Sequence, residues 1–201
     1  MREILQLLID LIFPPNPEEL KLRTLSSADF IKIAKQSSSK EALFSYQDPL
    51  VKELIWQIKY KKNKHAIQIA GYAVHKILCE RFTEPVLLIP IPISQKRRRE
   101  RGYNQCELIV DEILRVDQEN KFLTDYNLLV RAKHIERQTL KGREERIENT
   151  KNIFEARRRD FDDMKIVLID DVITTGSTME EARRTLLLAG YDNVETTAIA
   201  H

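Results

Sequence analysis

Residues 166–178 read IVLIDDVITTGST and carry the densest chemistry in the chain. The four apolar residues predict a buried strand that ends on two adjacent carboxylates, Asp170 and Asp171. Thr174, Thr175, Gly176, Ser177 and Thr178 follow as a hydroxyl-rich loop that opens a helix. Backbone N–H groups and hydroxyls at a helix N-terminus are donors suited to a phosphate. The two carboxylates would repel a second phosphate, yet they accept hydrogen bonds from sugar hydroxyls or from the water around a cation. The pattern calls for a ligand with a phosphate at one end and a ribose beside it. No Lys follows Gly176, so a nucleoside-triphosphate P-loop is excluded. A plain strand, turn and helix, with Ser177 as N-cap and Glu180 closing a capping box, would account for those two residues only. It leaves two charges at an exposed strand end, where a carboxylate adds little to the core.

Three further groups of residues bear on chemistry. Lys96, Arg97, Arg98, Arg99 and Arg101 form a basic run opposed only by Glu100, just after the turn Pro90-Ile91-Pro92. Guanidinium forks fit phosphate oxygens, so a solvated basic turn, a nucleic-acid patch and a small phosphate site all use the same chemistry. Residues 131–146 (RAKHIERQTLKGREER) are highly charged with little apolar periodicity at the start. A mobile lid and an exposed helix–loop both explain that composition, and His134 is either a general acid/base or a surface residue. Cys79 and Cys106 belong to no CxxC or Cys/His cluster. Both are expected as small buried side chains in a reducing compartment, and no zinc is expected.

These residues need a scaffold. The chain has 201 residues, 42% hydrophobic and 32% charged, with a net charge of +2, which suits one domain with a sizeable core. The near-balance of charge argues against a surface built wholly for nucleic acid. No run reaches the length of a membrane span. Residues 1–13 (MREILQLLIDLIF) place Glu3, Gln6 and Asp10 on one side of a helix and lack the unbroken apolar centre of a signal peptide. That helix is expected to pack on its own domain or a partner, ending at Pro14-Pro15. Residues 16–40 are polar and predict an appendage with one short helix capped by Ser26 or Ser27. Asp48-Pro49 starts a helix to about Tyr60, and further helices are expected at about 65–81, 105–114 and 178–189. Short apolar runs at 86–89 and 165–169, with 41–46 and 194–200, supply strands. Strands alternating with helices predict an α/β fold with a mostly parallel sheet flanked by helices, carried by residues 41–201 after the appendage at 1–40.

The segment 166–178 resembles the phosphoribosyl-pyrophosphate (PRPP) signature of type I phosphoribosyltransferases. Ile58-Lys59-Tyr60, Pro90-Ile91-Pro92 with Arg97, Arg101-Gly102-Tyr103-Asn104-Gln105 and the REERIEN of residues 143–149 resemble the competence-associated ComF family, in that family's order. The resemblance implies a type I phosphoribosyltransferase-like fold and a Mg²⁺-dependent transfer of phosphoribosyl from PRPP to a nitrogen nucleophile it does not name. Asp170 and Asp171 would then be catalytic, touching Mg²⁺ through water at most, and Thr174–Thr178 would hold the 5-phosphate. Lys59, Ile91, Pro92, Ile93, Ser94, Arg97 and Arg101 would border the pyrophosphate. Arg131, His134, Arg137 and Gln138 would belong to a flexible loop. The alternative is a non-catalytic PRPP- or nucleotide-binding, or single-stranded-DNA-binding, accessory protein of DNA uptake. Single-stranded DNA, a competence-machinery protein and a second copy of the chain are the partners this implies, and the compartment is cytoplasmic. Relatives commonly carry a cysteine-ligated zinc module after the FPP-like segment. Here Asn16-Pro17-Glu18-Glu19 follows, with no cysteine before Cys79.

Overall fold

The structure, a computed structural model, describes residues 14–132, 152–161 and 164–201. In chain order its elements are α1 (Pro17–Thr24), α2 (Ser27–Ile33), β1 (Ala42–Phe44), α3 (Pro49–Lys61), α4 (Lys64–Arg81), β2 (Val86–Pro90) and α5 (Gln95–Arg101). There follow α6 (Gln105–Val116), β3 (Phe122–Thr124), β4 (Leu129–Arg131), β5 (Phe154–Ala156), β6 (Lys165–Val172), α7 (Ser177–Leu188) and β7 (Val194–Ala200). Five strands form a parallel sheet in the order β1-β7-β6-β2-β3, while β4 and β5 make a separate antiparallel pair. The expected α/β architecture with a mostly parallel sheet is therefore present.

The unbroken apolar runs have the environment their composition requires. Leu88, Val167 and Ile169 join the core beneath α3, α4 and α6, whereas Leu87, Ile89, Ile166 and Leu168 face the side of α7 and the β4–β5 pair. A strand covered on both faces has no use for polar alternation. Strand β6 lies between β7 and β2, paired with β2 as far as Ile169 and with β7 as far as Val172.

Four expectations change. Residues 17–24 are helical within the stretch read as polar. Asn16 accepts the Glu19 N–H at 2.8 Å, Pro17 opens the first turn, and Leu22 is buried in the main core. The second short helix is capped by Ser26 and sends Phe30 edge-on against Phe44, 5.4 Å between ring centroids. The stretch read as an appendage thus contributes Leu22, Phe30 and Ala34 to the core of the sheet. Residues 95–101, for which a solvated basic turn was one reading, form a helix capped by Ser94 and ended by Gly102 at φ +80°. Strand β6 does not stop at the carboxylates: β7 continues beside it, pairing Asp170 with Ala198 and Val172 with Ala200. The helix expected at residues 1–13 lies outside the described residues. Among those described, no helix is long and apolar enough to cross a membrane.

Candidate active site

Parallel strands leave their C-terminal ends on one edge of the sheet, and α/β ligands bind there. At that edge β6 turns into α7 through Ile173–Gly176. Ile173 N–H donates to Ala200 O at 2.9 Å, which pins the turn to β7. Gly176 takes φ +75°, and a Cβ on it would meet nothing within 4 Å, so the backbone conformation alone requires glycine. It is also the N-cap of α7, without a side-chain cap. The capping box by which a plain turn would have used Ser177 and Glu180 is not formed, and Ser177 is instead the first helical residue. Ser177 N–H reaches Thr175 Oγ1 at 3.5 Å and Glu180 N–H donates to Gly176 O, which leaves the N–H groups of Thr178 and Met179 for a ligand. Thr175 and Ser177 hydroxyls stand 2.9 Å apart at the same place.

A cleft of about 490 Å³ lies over this turn. Thr174, Thr175, Gly176, Ser177 and Thr178 line it on one side, and Asp170 and Arg97 complete the wall. The structure thus brings Arg97 to the segment 170–179, from which it is distant in sequence. Arg97 arrives on α5, whose N-terminal loop is fixed from two directions. Ile91 O accepts Asn104 Nδ2 at 3.0 Å, and Pro92 O accepts Arg131 Nη1 at 3.3 Å. Of the loop residues named for the pyrophosphate, Ile91 has a buried side chain, Pro92 and Ile93 are half-buried, and Ser94 accepts the Arg97 N–H. Arg101 points away from the cleft, donating to Gln105 Oε1 at 2.9 Å and lying over the Tyr60 ring.

The two carboxylates are unlike. Asp171 is buried, not exposed as a strand-end residue would be, and its Oδ1 lies 3.0 Å from Lys59 Nζ. Lys59, named for the pyrophosphate, is placed on this carboxylate. Asp171 Oδ2 is buried without a hydrogen-bond partner. Asp170 is half-buried and accepts the Asp171 N–H on Oδ1 at 2.8 Å, with Cys106 Sγ 3.3 Å from the same oxygen. Burial first, and then the charge of Asp171, push the Asp170 carboxyl up to about 7. Burial and the same two carboxylates push the Cys106 thiol well above its ordinary value, so it remains a thiol that donates to Asp170. Cys106 is fully buried as expected, but its contact with Asp170 was not foreseen. Asn104 and Gln105 were visible as a helix start, and nothing in their sequence showed which loop they would hold.

Arg131 was expected in the flexible loop and instead belongs to β4. Its guanidinium lies 5.5 Å from the Phe154 ring centroid, and burial, then the nearby Arg97, lower its pKa. His134, Arg137 and Gln138 fall outside the described residues.

The family profile described as "Phosphoribosyl transferase domain" matches residues 120–200, which include β6, the Thr loop and α7. Competence protein F of Haemophilus influenzae is 33% identical over 119 residues, covering 58% of this chain and 50% of that protein. Competence protein ComFC of Bacillus subtilis is 29% identical over 150 residues, covering 74% of this chain and 58% of its own. The domain match and these relatives together support a ComF-type, phosphoribosyltransferase-like protein. Its fold is that of a type I phosphoribosyltransferase-like protein. DNA utilization protein YhgH of Escherichia coli K12 is 27% identical over 155 residues, covering 65% of its length. The chain therefore spans between half and about two thirds of these relatives.

Proposed function

We propose that this ComF-type chain binds PRPP at the β6–α7 edge and transfers its phosphoribosyl group to a nitrogen acceptor, releasing pyrophosphate. The observation that carries the reading is the single cleft in which an uncapped helix start, a hydroxyl loop, an arginine and a carboxylate face one another. The Thr loop and the α7 N–H groups would anchor the 5-phosphate, whose binding energy positions the ribose. Asp170 and Asp171 would accept hydrogen bonds from ribose hydroxyls, and Asp171 Oδ2 is a buried acceptor in want of such a donor. Their charge also favours the positive C1 of an oxocarbenium-like transition state. Arg97 would face the pyrophosphate. In the step itself, the acceptor nitrogen forms a bond to C1 while the C1–O bond breaks. The bonding electrons leave with pyrophosphate, and the proton on the nitrogen passes to water.

Among the described residues no three His, Cys, Asp or Glu side chains converge as a metal-ligand set. A Mg²⁺ ion would be carried by substrate oxygens and its own water, with Asp170 and Asp171 accepting from that water. When bound, the ion would neutralise charge on the leaving pyrophosphate. We place the chain in the cytoplasm. Calorimetry with PRPP and Mg²⁺ tests the binding; a Kd in the micromolar range, about −7 kcal/mol, is expected. Absence of heat at millimolar PRPP with folded protein would refute it, and phosphorus NMR would follow pyrophosphate release.

A second reading, a non-catalytic protein that binds single-stranded DNA, is favoured by α5, which buries no residue and sets Lys96, Arg97, Arg98, Arg99 and Arg101 on one short helix.

A further inference from the structure

We infer that Cys106 is a positioning residue of the phosphate cleft over the β6–α7 turn: its thiol fixes Asp170 so that one carboxylate oxygen is turned to the ribose. The inference rests on the PRPP reading and adds to it the part that holds the carboxylate still. Asp170 Oδ1 accepts the Asp171 N–H at 2.8 Å and lies 3.3 Å from Cys106 Sγ. Both donors take the same oxygen. Asp170 also stands in the wall of the cleft, so Oδ2 is the oxygen left to meet a ligand.

The thiol comes from a turn that is itself tied down. Asn104, the N-cap of α6, accepts the Cys106 N–H on Oδ1 at 3.0 Å while its Nδ2 donates to Ile91 O. Tyr103 Oη, one residue earlier, donates to Ile58 O at 2.7 Å, next to the Lys59 that pairs with Asp171. The start of α6 is therefore anchored to α3 and to the loop that leads to Arg97 before it reaches Asp170. A side chain held in one rotamer by such a support loses less freedom when a ligand arrives.

The surroundings suit a thiol in this role and exclude its other uses. Cys106 is fully buried, so neither solvent nor a ligand reaches the sulfur. Burial and the two carboxylates keep it protonated, which removes the thiolate that nucleophilic or metal chemistry would need. What remains is donation to Asp170. The outer torsion of an aspartate has a broad energy well, so the Asp171 N–H alone does not fix the plane of the carboxylate. Two donors on one oxygen do. An alkyl side chain at 106 would fill the space and leave that plane free to turn.

Cys79 and Cys106 are the chain's two cysteines, so in Cys79→Ala the infrared S–H band reports Cys106 alone. A thiol that donates absorbs at lower frequency than a free one. The band is expected at the donor position, and adding Asp170→Ala should move it to the free position. A band that starts at the free position overturns the proposal, and this arm needs no ligand. Three variants then read function by PRPP calorimetry with Mg²⁺, each first checked for folding by urea unfolding. Cys106→Ala and Cys106→Val lack the donor at smaller and larger volume, and both should raise the PRPP Kd about tenfold. Cys106→Ser restores a donor and should stay within about threefold of wild type. Wild-type affinity in both alkyl variants, or a serine variant as weak as Cys106→Ala, overturns the positioning role and leaves the PRPP reading standing. If an alkyl variant does not fold, the infrared band and the serine variant decide. A wild-type protein that binds no PRPP overturns both readings.

Discussion

Asp170 and Asp171 are neighbours in sequence with opposite needs. Asp171 is paired with Lys59 and has one oxygen buried and unpartnered. Lys59→Met would leave that carboxylate buried with no cation, and breaking such a pair costs about 3 kcal/mol. Urea unfolding should show this loss in Lys59→Met and a smaller loss in the double variant with Asp171→Asn; strictly additive losses would mean the two groups do not interact. Asp170 behaves differently with pH. Its carboxyl sits at about 7 in the folded protein, raised by burial and by Asp171, against about 3.9 in an unfolded chain. Between those values the folded state holds a proton that the unfolded state has lost. The contribution of Asp170 to stability is therefore greatest below pH of about 4 and declines until pH of about 7. Asp170→Asn ends that titration. Relative to wild type its melting temperature should rise near pH 8, by about 2–4 °C for each kcal/mol recovered, and barely change near pH 4. PRPP affinity should fall in the same variant. An equal shift at both pH values would show that the carboxyl is not protonated in the fold.

At the level of elements, what could be read depended on how local the signal was. The runs at 86–89 and 166–169 exclude polar residues because both faces of β2 and β6 are covered, so those strands were legible. Asp48 before Pro49 and Ser26 before α2 are caps whose hydrogen bonds lie within three residues, and they were legible too. Strands β3, β4 and β5 are three residues each and owe their existence to partners already in place, so no periodicity marks them. The phosphate loop was legible for the same local reason as the caps. The partners of its carboxylates were not: Cys106 reaches Asp170 only once α6 has docked on the sheet. That docking depends on Gly71, where α4 passes α6. A Cβ there would lie 2.4 Å from Glu112 Cγ and 2.6 Å from its Cβ. Gly71→Ala must push the helices apart, at a cost of about 1–3 kcal/mol. Because α6 also carries Asn104, which ties down the Ile91 carbonyl, PRPP affinity should drop with stability. Chemical denaturation combined with PRPP calorimetry tests this; a variant that loses neither would show that the crossing has slack.

Over the whole molecule, a net charge of +2 conceals a local excess of cations on α5. Affinity for a polyanion follows such clusters, because each neutralised phosphate releases a counterion. The Thr loop offers neutral donors for one phosphate, and Asp170 beside it would repel a continuous backbone. Arg97 alone belongs to both surfaces, as it lines the phosphate cleft from α5. Three variants therefore separate the two ligands. Lys96→Ala with Arg99→Ala should weaken binding of a dT oligonucleotide and flatten its log–log salt slope by roughly 1–1.5, since each single-strand phosphate contact contributes about 0.7, with PRPP affinity intact. Thr175→Ala should weaken PRPP and leave the oligonucleotide untouched. Arg97→Ala should weaken both, and PRPP should displace the oligonucleotide only in part. Fluorescence anisotropy at several salt concentrations, run beside PRPP calorimetry, distinguishes these outcomes. If Thr175→Ala abolished oligonucleotide binding while the Lys96 and Arg99 double variant bound normally, the strand would have to lie in the phosphate cleft, and the division of labour between α5 and the β6–α7 turn would be reversed.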